Sequence, residues 1–315
     1  MKENFKKDVH KGLSTTPKTL LSKYFYDKKG DELFVEIMNL PEYYLTRCEL
    51  DIFQNKAQEL IEAFDLQPNS YFELIELGAG DGTKTKELLK VLDQANYNFD
   101  YFPIDISSNA LKLLKQELNS LIPNLNVQTQ QGDYFEVLAS LKNSKQPKVV
   151  LFLGSNIGNM QDERASQFIF NLGANLQTGD KIVLGVDLIK AQDIVLPAYN
   201  DKQGITAKFN LNLLNRINQE LNGNFDLNQF EHQSEYTENE GIARSYIVST
   251  ADQTVEIKAT ENSYTFTEGE KIHTEISRKY NDQLIEKIIA NTDFSLLTKI
   301  LDSKAYFADY ILKRN

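Results

Sequence analysis

The chain has 315 residues, 41% of them hydrophobic and 25% charged, with a net charge of -11; this is ordinary globular material, long enough for about two domains of roughly 100–200 residues. So acidic a balance argues against a surface that neutralises phosphates, and nucleic acid is not an expected partner. The single cysteine, Cys48, excludes an intrachain disulfide, and His10, His232 and His273 are too widely spaced for a metal-ligand pattern, so no metal is expected. The polar start, Met1 to Asp8, predicts no signal peptide, and no run approaches ~18 apolar residues, so a cytoplasmic protein without a membrane span is expected.

Residues 1–20 read as a polar arm, with Pro17 opening a helical segment from about Lys18. An aromatic stretch follows: Tyr24-Phe25-Tyr26-Asp27, Leu33-Phe34, then Leu40-Pro41-Glu42-Tyr43-Tyr44. Leu33, Phe34, Ile37 and Met38 recur at helical spacing, which predicts a short amphipathic helix between two tyrosine-bearing turns. Aromatic stripes are usually core, but these tyrosines adjoin charged or proline-turn positions, where a ring keeps its polar tip accessible. A helix from about Leu50 to Phe64 leads to Glu73-Leu74-Ile75-Glu76-Leu77-Gly78-Ala79-Gly80-Asp81-Gly82-Thr83-Lys84-Thr85. That run predicts a strand, a nucleotide-binding turn and a helix, because a backbone that bends sharply around a ligand cannot carry Cβ atoms there.

Beyond the glycines strands alternate with helices. Strands are expected at Phe99–Ile106, around Val127, at Val149–Leu153 and at Lys181–Asp187. The intervening helices start near Lys84, at Ser107 or Ser108, after Asp133 and near Arg164. This rhythm implies a parallel sheet covered on both faces. Glu76 lies inside the first strand, Asp105 ends the second and Asp133 follows the third, where such sheets bind ligands. An acid at the second strand end suits a ribose diol, and one after the third suits an adenine amino group. A helix near Asn281 to Ala290 and two extended runs, Phe294–Leu301 and Tyr306–Leu312, add a closing hairpin.

The G-x-G-x-G spacing alone is compatible with hydride as well as methyl chemistry. With the acids and the hairpin, the expected fold is α/β: a Rossmann-like class I methyltransferase, its doubly wound sheet ending in a β-hairpin. A second, mixed α+β substrate-binding domain is expected from the different texture of Leu188 to Tyr280. The expected division is 1–51 with 190–280 as the substrate-binding or lid domain, and 52–189 with 281–315 as the S-adenosylmethionine-binding domain, the active site lying between them.

Several ordered motifs then carry a resemblance over nearly the whole chain. They are Phe25-Tyr26-Asp27 with Gly30, Leu40-Pro41-Glu42-Tyr43-Tyr44 with Thr46-Arg47, Glu76-Leu77-Gly78-Ala79-Gly80 with Lys84-Thr85, and Pro103-Ile104-Asp105-Ile106-Ser107. Phe152-Leu153-Gly154-Ser155-Asn156-Ile157-Gly158-Asn159, Ala198-Tyr199 and Thr274-Glu275-Ile276-Ser277 complete the set. In these the chain resembles the histidine-specific N-α-methyltransferases of ergothioneine biosynthesis. The resemblance implies transfer of three methyl groups from S-adenosylmethionine to the α-amine of L-histidine, giving hercynine. It also implies that Gly78, Lys84, Asp105, Asp133, Tyr134 and the Gly154 backbone hold the donor. Asn159 and Tyr199 would take the substrate carboxylate, Tyr26 and Tyr43 would surround the amine as the catalytic pair, and Glu275 and Ser277 would bind the imidazole. In a strand, residues two apart project to one face, so Glu275 and Ser277 can serve one ring together.

Family members often carry a methionine where this chain has Ser245, so a modified histidine or another aromatic amino acid or amine is an alternative acceptor. A nicotinamide-dependent dehydrogenase and a non-catalytic module that binds the methyl donor are the readings from other classes. A monomer acting on a small molecule is expected.

Overall fold

A computed structural model describes residues 2–315. The chain divides into two compact units: the first is the chain up to Tyr44 together with Lys190–Ser277, the second Leu45–Ile189 together with Arg278–Asn315.

In chain order the first unit begins with α1 (Lys2–Leu13), β1 (Lys18–Thr19) and α2 (Lys28–Met38). The second continues with α3 (Leu45–Asn55), α4 (Ala57–Ala63), β2 (Phe72–Leu77), α5 (Thr85–Gln94), β3 (Phe99–Asp105) and α6 (Ser108–Leu121). Next come β4 (Asn126–Val127), β5 (Gln130–Gln131), α7 (Tyr134–Leu141), β6 (Lys148–Phe152), α8 (Asp162–Gly173) and β7 (Lys181–Asp187). The first unit resumes with α9 (Gln192–Val195), α10 (Ile205–Leu221), β8 (Phe230–Thr237), β9 (Ile242–Ser249), β10 (Gln253–Ile257), β11 (Asn262–Phe266) and β12 (Lys271–Arg278). The second closes with α11 (Asp282–Ile289), β13 (Phe294–Leu301) and β14 (Phe307–Arg314).

In the second unit the sheet order is β13-β14-β7-β6-β2-β3-β4, with β5 also on β3. The five strands from β7 to β4 run parallel, and β14 lies antiparallel between β7 and β13. Every residue of β2, β6 and β7 is buried, as continuous apolar runs must be when helices cover both faces. Ile75, Leu77, Val150, Phe152, Phe168, Ile182, Leu184 and Tyr310 pack into one core. Its helices start where side chains cap them: Ser107 accepts from the Ala110 amide at 3.2 Å, Asp133 from Phe135 at 2.9 Å and Asn281 from Leu284 at 2.9 Å. This is the doubly wound, hairpin-closed sheet that the alternation predicts.

In the first unit a four-stranded sheet of order β1-β12-β9-β8 and the β10-β11 pair pack with α1, α2 and α10 around Phe5, Phe25, Phe209, Leu213, Ile217, Ile247 and Ile272. Three local expectations need correction. The polar arm is the helix α1: Phe5, Val9 and Leu13, four apart, give it a buried stripe that outweighs its charges. No helix opens at Lys18. The backbone there pairs with Ile272 and His273 of β12 instead. The helix expected from Leu50 starts at Leu45 and breaks at Lys56, whose φ of -132° and ψ of 18° are not helical. No described helix is long and apolar enough to cross a membrane.

Candidate active site

The glycine turn leaves β2 through Gly78, Gly80 and Gly82, all left-handed at φ +74°, +54° and +65°, a conformation side chains resist. The amides of Gly78 and Ala79 donate to the Ile104 carbonyl of β3 at 2.8 and 3.2 Å, so the turn is tied to the neighbouring strand end. Asp105 finishes β3 and accepts from the Gly80 amide at 3.1 Å and the Ser107 amide at 2.8 Å. Each oxygen thereby uses one lone pair and keeps a second for a ligand hydroxyl. Tyr134, at the start of α7 next to Asp133, lies over the turn: a Cβ on Gly78 would stand 2.7 Å from its hydroxyl. Burial, then the charges of Asp105 and Asp133, raise the pKa of that hydroxyl and keep it neutral. Around Gly80, by contrast, no atom lies within 4 Å of an added Cβ.

Lys84 and Gly154 meet on a residue for which the motifs gave no role. Both oxygens of Glu49, on α3, accept from the Gly154 amide at 2.9 Å, and the same carboxylate pairs with Lys84. Burial opposes the Lys84 charge, but the Glu49 carboxylate outweighs it and raises the lysine pKa. Glu76 lies deeper in the sheet, hydrogen-bonded by Thr85 at 2.8 Å and by Tyr101. Burial pushes its carboxyl up to about 7 against the pull of those two bonds. It braces the turn from within the core rather than presenting a carboxylate at the strand end.

After β6, the segment Gly154–Asn159 is bolted down from several sides. Ser155, left-handed at φ +56°, accepts from the Asp187 amide at 3.0 Å, and a Cβ on Gly158 would meet the Arg278 carbonyl at 2.7 Å. Asp187 and Lys279 form an ion pair at 2.8 Å with both side chains fully buried, and Asp162 pairs with Arg278 at 3.1 Å. Asn159 itself is exposed on this segment.

The first unit gathers the aromatic and polar residues expected to hold the acceptor. Tyr26, Phe34 and Tyr43 pack ring against ring, at 5.6 and 6.3 Å between centroids, and Phe209 of α10 meets Tyr26 at 5.8 Å. Tyr26 is 45% exposed, yet its pKa is raised, first by burial and then by the charge of Glu275. The two facts describe a phenol that water reaches while protein surrounds it, and whose hydroxyl stays protonated. Glu275 is half-buried on β12, two residues before Ser277.

Ser277 and Tyr199 are both buried, and the Tyr199 hydroxyl donates to Ser277 Oγ at 2.7 Å. The two residues assigned to opposite ends of the substrate are thus bonded to each other. His232 Nε2 lies 2.8 Å from the Tyr199 carbonyl, which fixes the proton on that nitrogen; burial lowers its pKa, so the ring is neutral. Ser245 is buried in β9 opposite Ser234, and its carbonyl accepts from Thr274 at 2.9 Å.

Tyr26, Tyr43, Tyr199, Glu275 and Ser277 therefore all belong to the first unit, and Gly78, Lys84, Asp105, Asp133, Tyr134, Gly154 and Asn159 to the second. Glu49 and Phe209 escaped the sequence reading. A signal for Glu49 exists: it shares the buried face of α3 with Leu45, Cys48, Ile52 and Phe53, where a charge needs a partner. Among the described residues no group of three His, Cys, Asp or Glu side chains could hold a metal ion.

A hairpin-closed parallel sheet with a left-handed glycine turn at its first strand and an acid at its second defines a Rossmann-like methyltransferase. The family model described as "Histidine-specific methyltransferase, SAM-dependent" matches residues 5–314. The chain belongs to that family of S-adenosylmethionine-dependent enzymes. It is 34% identical to the histidine N-alpha-methyltransferase of Mycolicibacterium smegmatis, over 89% of this chain and 86% of that protein, and 33% identical to the one of Mycobacterium tuberculosis, over 89% and 85%. Ergothioneine biosynthesis protein 1 of Schizosaccharomyces pombe is 31% identical over 95% of this chain, which spans 39% of that protein.

Proposed function

We propose that the protein transfers three methyl groups in succession to the α-amine of L-histidine, forming hercynine. The observation that carries this reading is the Tyr199–Ser277 hydrogen bond at 2.7 Å beside Glu275 on one strand. Ser277 accepts the Tyr199 proton on one lone pair and keeps its own O–H to donate, while Glu275 is an acceptor. One donor and one acceptor match a neutral imidazole, which has one bare nitrogen and one N–H.

S-adenosylmethionine, when bound, supplies an electrophilic methyl carbon on its sulfonium. Asp105 would hold the ribose diol and Asp133 the adenine amino group, with Tyr134, Gly78, Lys84 and Gly154 completing the cradle; the paired lone pairs of Asp105 and the open space at Gly80 support that fit. Tyr26 and Tyr43 would surround the amine and Asn159 would hold the carboxylate, while Tyr199, whose single O–H is given to Ser277, would reach the carboxylate only by releasing that bond. The amine attacks only after losing its proton. It becomes bulkier with each methyl and ends permanently cationic, a charge that aromatic faces favour by about 0.5–2 kcal/mol. The neutral Tyr26 hydroxyl can hydrogen-bond the amine without adding a second charge. What remains is alignment of the lone pair with the methyl and exclusion of water.

In this reading the chain up to residue 51 with 190–280 binds the amino acid, and 52–189 with 281–315 binds the donor. The enzyme works as a monomer in the cytoplasm: a net charge of -11 opposes self-association, and the lone Cys48 is buried. Incubation with S-adenosylmethionine and the free amino acids, followed by mass spectrometry, should show histidine gaining one to three methyl masses. Gains confined to another amino acid would reassign the acceptor.

A further inference from the structure

Around Lys84 the second unit encloses three carboxyl groups, Glu49 on α3, Glu76 on β2 and Asp309 on β14, exposed by 0%, 3% and 0%. Glu76 has Thr85 and Tyr101, and Glu49 has Lys84 and the Gly154 amide. Asp309 differs: it is fully buried, and neither of its oxygens has a hydrogen-bond partner. It stands beside Glu49, because the point where a Cβ would sit on Gly185 of β7 is 2.1 Å from Glu49 Oε1 and 3.0 Å from Asp309 Oδ1. The two carboxyls converge on a residue whose lack of a side chain makes room for them.

Ionised, Asp309 would be a buried charge without a donor and a like charge next to Glu49, and Lys84 cannot neutralise both. A retained proton removes both penalties and turns Asp309 into an O–H donor facing the Glu49 oxygen. Burial first, then the Glu49 charge, hold the Asp309 carboxyl well above the usual carboxylate range, with Lys84 acting in the opposite sense. The groups facing Asp309 are Glu49 from α3, Lys84 from the turn before α5, uncharged Gly185 from β7 and, in register on β13, apolar Ile300.

We propose that Glu49, oriented by a proton held on Asp309, is the positioning residue that sets Lys84 and the Gly154 amide in place for the methyl donor. The inference rests on the assignment of Lys84 and Gly154 to the donor made above. As pH rises far enough to remove the Asp309 proton, a second negative charge appears beside Glu49, draws on Lys84 and loosens the donor site.

The test is calorimetric titration of the full chain with S-adenosylhomocysteine from pH 6 to 10, with initial rates alongside. Glu49→Gln should weaken binding at least about tenfold and raise the donor KM, while the histidine KM changes less than about twofold. Asp309→Asn offers an N–H where the acid has its O–H. It should bind within about threefold of the unmodified protein at pH 7 and lack that protein's alkaline loss of affinity. Unchanged binding by Glu49→Gln, equal changes in both KM values, or the same alkaline loss in Asp309→Asn overturns the inference. Should Glu49→Gln fail to fold, the Asp309→Asn profile decides. No heat from the unmodified protein would instead sink the donor assignment itself.

Discussion

The Tyr199–Ser277 bond yields the sharpest test of the acceptor site. Tyr199→Phe deletes a buried donor and spares the ring; Ser277→Ala deletes the acceptor of a phenol that is only 8% exposed. A buried hydrogen bond contributes about 1 kcal/mol net, whereas removing the partner of a buried polar group costs about 1–3 kcal/mol. With about 1.4 kcal/mol per factor of ten, Tyr199→Phe should lower kcat/KM for histidine about fivefold, and Ser277→Ala by between about fivefold and about 140-fold. If the two hydroxyls act as one unit, the double variant should be no worse than Ser277→Ala, a coupling of about 1 kcal/mol. The assay is the initial rate of methyl transfer at low histidine and saturating donor, with S-adenosylhomocysteine affinity as the control that should not move. Additive losses, with a coupling under about 0.5 kcal/mol, would refute the reasoning, since each hydroxyl would then act alone.

Glu275→Ala should cost histidine turnover a hundredfold or more while donor affinity holds, because a site built to bond a polar group discriminates by factors of about 10⁴–10⁵; equal losses in both would make the residue structural. Lys279→Met removes the cation paired with buried Asp187 and should destabilise the protein by about 3–5 kcal/mol in urea melts, with Asp187→Asn added to it recovering part of the loss. Gly78→Ala forces a Cβ onto a backbone at φ +74° and against the Tyr134 hydroxyl, so calorimetry should find weaker donor binding and unfolding about 1–2 kcal/mol easier. In Asp309→Asn the sign with pH is fixed. A carboxyl whose pKa is raised on folding contributes stability that is full below its unfolded value, 3.8, and is lost as pH rises through the folded one. The melting temperature of the variant should therefore gain on that of the unmodified protein as pH increases.

Much of the donor half was legible in the sequence because it is local. A run such as Lys181–Asp187 reads as a buried strand whatever surrounds it, and Ser107, Asp133 and Asn281 cap helices within three residues of themselves. The glycines at 78, 80 and 82 announce a left-handed turn by composition alone. The start of the chain reads as a polar arm because Phe5, Val9 and Leu13 are sparse among lysines, and only the core they meet makes that stripe decisive.

What tertiary structure alone decided is which polar groups share a proton or a charge. Residue spacing could place Glu275 and Ser277 on one strand face, but not reveal that Tyr199, 78 residues earlier, donates to Ser277. It could place an acid in an apolar helix face and another in an apolar strand, but not bring Glu49 and Asp309 together over Gly185. Strands and turns follow from short-range sterics and burial, which the order of residues encodes directly. The ionisation and aim of a buried carboxyl depend on what stands a few ångströms away in space, and that neighbour arrives only when the chain has folded.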